Sequence, residues 1–246
     1  MMVGELMAPT PGGKPGYAPE IDMWLRDTLG LGPSSAVAEL GAGAGNFTAH
    51  IRRLCPQSIA VEPDKGKRAA FSRNQPTARV VAGSAEQMPI ATEALDCLLV
   101  AQAFHWFANK TALAEISRVL KPDGTLALIW NIRDDSVAWV RQLSRLIKPL
   151  AEDVPRFHMQ KWQQTLQEAG FQGVSKHRFR HTHKGPAHEV VLERILSVRF
   201  VARQPKPLRE KLRRDLMTLI EKTPELSDRA SCHFPYVTMA YRFSRH

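Results

Sequence analysis

Short apolar runs alternate with segments of helical spacing over the first half of the chain. The runs are AVAEL (36–40), SIAVE (58–62), ARVVAG (78–83), LDCLLVA (95–101) and TLALIW (125–130). Each run is short enough for a buried strand. Between the runs, apolar residues recur three or four positions apart, as at Phe47, Ile51 and Leu54. This alternation predicts an α/β fold, a parallel sheet with helices on both faces.

Two polar residues mark predicted helix starts. Asp64 precedes a helix over KGKRAAFSRN (65–74), and Asn109 precedes a helix carrying Leu113, Ile116 and Leu120 on one face. The KPDG segment (121–124) is expected to end the second helix, because proline and glycine interrupt helical hydrogen bonding.

The second half of the chain continues with a weaker pattern. Helical spacing occurs in AWVRQLSRLIKPL, MQKWQQTLQEAGF, EVVLERILSV and PLREKLRRDLMTLI, where Leu208, Leu212, Leu216 and Leu219 form a stripe. VSKHRFRHTH and PYVTMAYRF predict two more strands, and the alternation in PYVTMAYRF is typical of an edge strand. We expect one domain over 1–246, with a lead-in at 1–35, a ligand-binding core at 36–131 and a pocket-shaping part at 132–246.

The cysteines and the apolar segments bear on cellular location. Cys55, Cys97 and Cys232 form no CxxC pair, and their odd number fits neither a disulfide framework nor a zinc cluster. The sequence contains no signal-peptide pattern and no apolar run of roughly 18 residues that could span a membrane. We therefore expect a cytoplasmic protein.

The net charge of +10 is concentrated in the last third of the chain. Residues 1–175 contain 18 Lys and Arg against 17 Asp and Glu, whereas residues 176–246 contain 16 against 7. Such a segment attracts RNA, an anionic membrane or an acidic small substrate. No aromatic residues are interleaved with these charges as stacking platforms, so a solvated face is favoured over a nucleic-acid site.

The stretch VAELGAGAGNF (37–47) places three glycines directly after the first predicted strand. In an open α/β sheet, ligands bind beside this turn. Dinucleotide-binding loops carry glycine at the first, third and sixth positions, whereas here Gly41, Gly43 and Gly45 are first, third and fifth and Asn46 is sixth. The GK[ST] ending of a phosphate-binding loop is also missing.

Glu62 ends the second predicted strand, 21 residues after Gly41. A carboxylate at this place accepts hydrogen bonds from both hydroxyls of an unphosphorylated ribose. The glycine amides and the following helix N-terminus suit a carboxylate at the other end of the ligand. A ligand that joins adenosine to an amino acid fits both ends, and S-adenosylmethionine (SAM) is such a ligand.

Five successive motifs resemble those of the class I SAM-dependent methyltransferases. They are VAELGAGAGNFT, IAVEPD, VVAGSAEQMPI, LDCLLVAQAFHWF and EISRVLKPDGTLALIWN. They cover residues 37–131, and within that family they resemble the small-molecule branch of the trans-aconitate methyltransferases. KPGYAPEI and PYVTMAYRFSR also resemble segments of that branch. The resemblance implies a doubly wound, mostly parallel seven-stranded Rossmann-like sheet with an antiparallel edge strand and helices over the pocket.

The resemblance also implies roles for individual residues. The methionine part of the cofactor would contact Glu39, Gly41, Ala42, Gly43, Gly45 and Asn46. The ribose would contact Glu62, and the adenine Ser84, Ala85 and Glu86. Gln102 and His105 would lie near the transferable methyl group, and Lys14 and Tyr17 would capture a carboxylate. Ser84 stands where many relatives have Asp, and Lys14 stands where the entry segment has Arg.

His105 has two interpretations. It either removes a proton from the acceptor or orients the acceptor and orders its loop with Trp106. Phe107 is expected to complete the core. His181 and His183 share one side of a predicted strand, but no third ligand follows at a typical spacing, and we expect no metal site.

The sequence thus predicts an enzyme that transfers the methyl group of SAM to a small molecule, and the expected acceptor group is a carboxylate or a hydroxyl. Two alternatives remain at this stage. One is an RNA or protein methyltransferase that uses the basic last third, and the other is a SAM-binding protein without catalytic activity.

Overall fold

The computed structural model describes residues 13–151, 161–227 and 231–245. The strands are β1 (Val37–Leu40), β2 (Ile59–Val61), β3 (Arg79–Val81), β4 (Leu95–Ala101), β5 (Leu120–Arg133), β6 (Phe171–Gly185) and β7 (Cys232–Arg245). The α-helices are α1 (Glu20–Met23), α2 (Thr48–Leu54), α3 (Lys65–Asn74), α4 (Lys110–Val119), α5 (Ala138–Ile147), α6 (Lys161–Glu168), α7 (Arg194–Leu196), α8 (Arg199–Ala202), α9 (Lys206–Lys222) and α10 (Pro224–Ser227). Trp24–Thr28 and His188–Glu193 are π-helical, and Phe104–Trp106 and Lys148–Ala151 are 3₁₀ turns.

The seven strands form one sheet in the order β3-β2-β1-β4-β5-β7-β6. The pairs β1·β2, β1·β4, β2·β3 and β4·β5 are parallel, and Ala38 of β1 lies between Ile59 of β2 and Leu98 of β4. The order reverses at β1, and in open α/β sheets ligands bind beside such a reversal, here beyond the carboxyl ends of β1 and β4. The predicted fold class, a doubly wound and mostly parallel seven-stranded sheet with an antiparallel edge, is confirmed.

The prediction that PYVTMAYRF is an edge strand is wrong. β7 lies between β5 and β6, and β6 is the edge strand. β7 runs antiparallel to β5. The Asp134 N–H, just after β5, donates to the Pro235 carbonyl at 3.1 Å, whereas Asn131, three residues earlier, is hydrogen-bonded to Thr238, three residues later, at 3.3 Å. Thr238, which gave β7 its polar alternation, is buried, and its hydroxyl is satisfied there because it accepts the Ala18 N–H at 2.9 Å.

Both predicted helix caps are confirmed. The Asp64 carboxylate accepts the Lys67 N–H at 2.7 Å, and the Asn109 side chain accepts the Ala112 N–H at 2.9 Å. Helix α4 ends at Val119, so Leu120 does not extend its apolar face and instead begins β5. The KPDG segment lies within β5 at a register shift, since Leu95 pairs with Leu120 while Cys97 pairs with Thr125.

The described chain divides into two compact units. The core unit comprises residues 17–131, 161–179 and 238–245, and the helical unit comprises residues 13–16, 132–151, 180–227 and 231–237. In the core unit, residues such as Phe47, Ile51 and Leu99 form a buried apolar cluster. In the helical unit, Leu212, Leu216 and Leu219 of α9 are buried with α5, whereas Leu208 of the predicted stripe is 43% exposed.

Candidate active site

The glycine loop follows β1 in the core unit and turns sharply. The φ angles of Gly41, Gly43 and Gly45 are 71°, 59° and 84°, a left-handed region that other residues rarely adopt. A Cβ atom at Gly41 would lie 2.8 Å from Cβ of Ala103, and one at Gly45 would lie 2.7 Å from Cγ of Gln75. A Cβ at Gly43 would meet nothing within 4 Å. The first and third glycines therefore permit close packing, while the second faces open space.

Glu62 contacts this loop directly. Its carboxylate accepts the Gly43 N–H at 2.9 Å and the Asp64 N–H at 3.1 Å, and Lys67 Nζ lies 3.6 Å away. The Glu62 side chain is only 3% exposed. A carboxylate offers about four acceptor positions. Since the two backbone groups use two of them, Glu62 retains acceptor capacity for a ligand.

Glu39 is a buried carboxylate at the carboxyl end of β1. Its Oε2 accepts the Thr48 hydroxyl proton at 2.5 Å. Burial raises the pKa of Glu39 to about 8, the Thr48 hydrogen bond opposes this rise, and the charge of Glu62 adds to it. Glu39 therefore holds a proton at neutral pH in the protein alone.

The loop after β3 carries the residues that the resemblance assigns to adenine. Ala85 is buried and Glu86 is exposed. The Glu86 carboxylate accepts the Asn109 amide at 3.2 Å, and this hydrogen bond lowers the pKa of Glu86. A Cβ at Gly83 would lie 2.9 Å from the Val61 side chain, so the loop packs against the end of β2, one residue before Glu62.

Gln102 and His105 follow the carboxyl end of β4. Gln102 has a φ of 61°, and its side-chain amide donates to the Asn131 carbonyl at 3.0 Å. The Trp130 indole N–H donates to Nδ1 of His105 at 3.2 Å. Desolvation lowers the pKa of His105 to about 4, so its imidazole is neutral at physiological pH. Ala103, which lies between Gln102 and His105 in the sequence, is the residue closest to a Cβ at Gly41.

The other residues that the resemblance assigns to the site, Tyr17, Ala42, Asn46 and Lys14, differ in burial. Tyr17 packs edge-on against Phe47 with 4.8 Å between ring centroids, and burial followed by the Glu39 charge raises the pKa of its phenol. Asn46 is exposed and Ala42 is buried in the loop. Lys14 is exposed and belongs to the helical unit, so its contribution to the site stays a prediction.

The aromatic residues around His105 differ from one another in exposure. Trp106, whose role the sequence left open, is 54% exposed. Phe107 is partly buried and contacts Phe104 edge-on with 5.7 Å between ring centroids. Among the residues that the structure describes, no three His, Cys, Asp or Glu side chains are grouped as a metal ion would require.

Two contributors to the site were missed in the sequence. Thr48 lies at the start of α2 and Trp130 near the end of β5, and each is hydrogen-bonded to a residue that the sequence did single out. The sequence did indicate that Trp130 would need a partner. It is the one residue in the run TLALIW with a side-chain N–H, and a buried indole N–H usually has a hydrogen-bond partner. Its partner was not predictable, since 25 residues separate it from His105.

Comparison with known proteins identifies the family. Residues 38–128 match the family described as Methyltransferase domain. An uncharacterized methyltransferase of Schizosaccharomyces pombe is 34% identical over 230 residues, which cover 93% of this chain and 90% of that protein. A solved structure of a proposed type II methyltransferase from Anaeromyxobacter dehalogenans has a TM-score of 0.70 at 18% identity, covering 94% of this chain and 97% of that one.

A shorter match concerns a protein with a named substrate. The malonyl-[acyl-carrier protein] O-methyltransferase of Methylococcus capsulatus is 34% identical over 104 residues, which cover 39% of this chain and 38% of that protein.

The fold and the full-length relatives define this chain as a member of the class I SAM-dependent methyltransferases. It is a SAM-dependent methyltransferase, and its cofactor is SAM. The residues present fit that cofactor, because Gly43 opens onto free space and Glu62 retains acceptor capacity beside it. No helix in the described parts of the chain has the length and apolarity needed to cross a bilayer.

The protonation of Glu39 leads to a testable pH dependence. The folded chain holds this proton up to about pH 8, whereas the ordinary pKa of a glutamate side chain is 4.5. The free energy of unfolding of the protein alone therefore falls as pH rises across that interval. A cationic ligand beside Glu39 favours the ionised form, so binding should release a proton and tighten as pH rises toward 8.

Calorimetry of SAM binding in buffers of different ionisation enthalpy measures this proton release. Glu39→Gln is the matched control, because its amide oxygen still accepts the Thr48 hydroxyl but cannot ionise. We expect the wild-type protein to release more protons than this variant. Equal proton release by the two proteins would show that the Glu39 proton is not coupled to binding.

Proposed function

We propose that this methyltransferase acts on a small molecule that carries a carboxylate, with a hydroxyl acceptor as the less favoured case. The observation that carries the proposal is the chemistry beyond the end of β4, where neutral His105 follows by two positions Ala103, the residue that would meet a Cβ at Gly41 of the glycine loop. A bound acceptor at this place would meet an uncharged hydrogen-bonding group. A carboxylate acceptor needs no proton removed before it attacks a methyl group.

The cofactor roles in this proposal follow the contacts at the loop. Glu62 would hold the ribose hydroxyls, the amides of the loop from Gly41 to Gly45 would hold the methionine part, and the Ser84–Glu86 loop would border the adenine. Glu39 would lie beside the methionine part. SAM supplies a methyl group on a sulfonium, an excellent leaving group, so the protein contributes mainly by alignment.

Two further observations support an anionic acceptor. The malonyl-[acyl-carrier protein] O-methyltransferase shares the motif region with this chain, and its name specifies O-methylation of a malonyl group that is carried on a protein. The sequence between residues 199 and 214 contains seven Lys and Arg and one Glu, and a positive field raises the local concentration of anions. The trans-aconitate methyltransferases, which the motifs resemble, also suggest a small carboxylate.

The test is transfer of label from methyl-labelled SAM into a metabolite extract, with trans-aconitate as the first pure probe. We expect label in a low-molecular-weight product. Label in added RNA or protein instead, suppressed steeply by salt, would overturn the small-molecule proposal. No transfer to any acceptor, by protein that binds SAM in calorimetry, would overturn it as well.

A further inference from the structure

Trp130 is held rigidly in the core unit. It is 1% exposed, its ring centroid lies 4.8 Å from that of Trp162, and Tyr241 packs edge-on against it at 5.8 Å. Trp162 is in turn packed edge-on against Phe104. A buried indole packed against two other rings cannot rotate without displacing them. The direction of its N–H is therefore fixed by packing.

This fixed N–H determines which nitrogen of His105 carries a proton. An indole N–H only donates, so Nδ1 of His105, 3.2 Å away, must be the acceptor. A neutral imidazole has one proton, which then lies on Nε2. A proton on Nδ1 would point at the indole N–H, and desolvation also opposes the doubly protonated form, as the lowered pKa of about 4 indicates.

In this tautomer neither ring nitrogen is free to accept a proton. The Nδ1 lone pair is used by Trp130, and Nε2 already carries a hydrogen. We propose that His105 is not a general base but a hydrogen-bond donor, which presents Nε2–H to an oxygen of the methyl acceptor and so selects a carboxylate. The inference rests on the proposed function and names the acceptor group.

A carboxylate acceptor can be methylated in this arrangement without any base. One oxygen accepts the Nε2–H bond and the other forms the new bond to the methyl carbon, while the carbon–sulfur bond breaks and leaves its electron pair on sulfur. The carboxylate charge is neutralised and no proton changes place. An alcohol or an amine would have to lose a proton, and His105 has no site for it.

The hydrogen bond should act mainly on binding. The carboxylate loses negative charge as it is methylated, so a donor stabilises it no more in the transition state than in the bound substrate. Loss of an interaction of this kind raises KM more than it lowers kcat. Trp130 is a positioning residue in this scheme, since it acts through His105.

The tautomer can be measured without any acceptor. Long-range ¹H–¹⁵N spectra of protein labelled at its nine histidines distinguish the two neutral tautomers, and the signal missing in His105→Gln identifies His105. We expect the Nε2–H form, unchanged from about pH 5.5 to about pH 8. In Trp130→Phe, which removes the N–H but keeps a ring, we expect a mixture of both tautomers. An Nδ1–H form in the wild type, or titration of His105 near its ordinary pKa, would overturn the inference.

The acceptor group is tested on the labelled product from the extract. Mild alkali hydrolyses methyl esters to volatile methanol but leaves methyl ethers and methylamines intact. Release of the label supports a carboxylate acceptor, and a base-stable product overturns it. If no labelled product forms, the proposed function fails, while the spectra still decide the role of His105.

Variants of His105 separate a donor from a base. The Gln side-chain amide donates a hydrogen bond from a position similar to Nε2 but has no basic nitrogen. The Ala side chain can neither donate a hydrogen bond nor accept a proton. For the carboxylate that the wild-type protein methylates, we expect His105→Ala to raise KM about tenfold with a smaller change in kcat, and His105→Gln to restore most of the loss. Equal and large losses of kcat in both variants would assign His105 as the base.

Discussion

Replacement of Glu62 by alanine is expected to weaken binding of S-adenosylhomocysteine by about a hundredfold or more. The carboxylate is buried beside Gly43 and retains about two acceptor positions after its two backbone hydrogen bonds. Hydrogen bonds to a charged group contribute about 1.5 to 3 kcal/mol each, so loss of two to the ribose removes about 3 kcal/mol or more. Isothermal calorimetry measures the change, since about 1.4 kcal/mol corresponds to a factor of ten.

Two control variants separate the ribose contact from loop support. Glu62→Gln keeps one oxygen that can accept the Gly43 N–H, so the loop should persist while the charge is lost, and we expect an intermediate affinity. Glu168→Gln removes a charge from an exposed residue of α6 and should leave the affinity unchanged. If Glu62→Ala folds with wild-type stability and binds S-adenosylhomocysteine with wild-type affinity, the ribose does not contact Glu62.

The first half of the chain was the more predictable part, because its signals are local. β4 and α3 have the predicted bounds, and Asp64 and Asn109 cap their helices through hydrogen bonds to residues three positions ahead. Parallel strands buried on both faces also leave continuous apolar runs that are visible without an alignment. Spacing within one element is thus enough to place these features.

The errors occur where a partner far along the chain decides the outcome. Thr238 gives β7 a polar alternation, but β7 lies between β5 and β6, and the buried Thr238 hydroxyl is hydrogen-bonded to Ala18 and Asn131. Polarity predicts exposure only for a residue without such partners. No local pattern reveals a contact between positions 238 and 18.

The same limit applies to the site. The sequence placed Gly41, Gly43 and Gly45 in a ligand loop, but it did not distinguish the two glycines that permit packing from the one that opens onto free space. It also identified His105 without the Trp130 contact that fixes its proton. Residue type and order therefore predicted the chemistry, whereas the direction of each hydrogen bond required the fold.

Alanine substitutions at three glycines are expected to show separately the effects of backbone strain, of a steric clash inside the protein and of a blocked ligand site. Gly30, Gly41 and Gly43 have similar φ angles of 67°, 71° and 59°. A left-handed conformation costs an alanine about 1 to 2 kcal/mol, so each variant should lose at least this much stability. At Gly30 and Gly43 a Cβ meets nothing within 4 Å, so strain should account for the whole loss.

Gly41→Ala should be the most destabilising of the three, by about 2 to 5 kcal/mol in total. Its Cβ would lie 2.8 Å from Cβ of Ala103, which has no flexible end to move aside, and such overpacking adds about 1 to 3 kcal/mol to the strain. Urea unfolding curves measure the difference between the variants. Similar stabilities for Gly41→Ala and Gly30→Ala would show that the loop can move away from Ala103 without loss.

The affinity for S-adenosylhomocysteine then distinguishes Gly30→Ala from Gly43→Ala, the two variants whose new Cβ collides with no other atom. A methyl group at position 43 occupies the open space beside Glu62, so Gly43→Ala should lose at least tenfold in S-adenosylhomocysteine affinity, while Gly30→Ala should bind as the wild type does. Both variants have the same backbone strain, and only one is expected to block the ligand. Equal affinities in the two would place the cofactor away from Gly43, which would also remove the reason for assigning the ribose to Glu62.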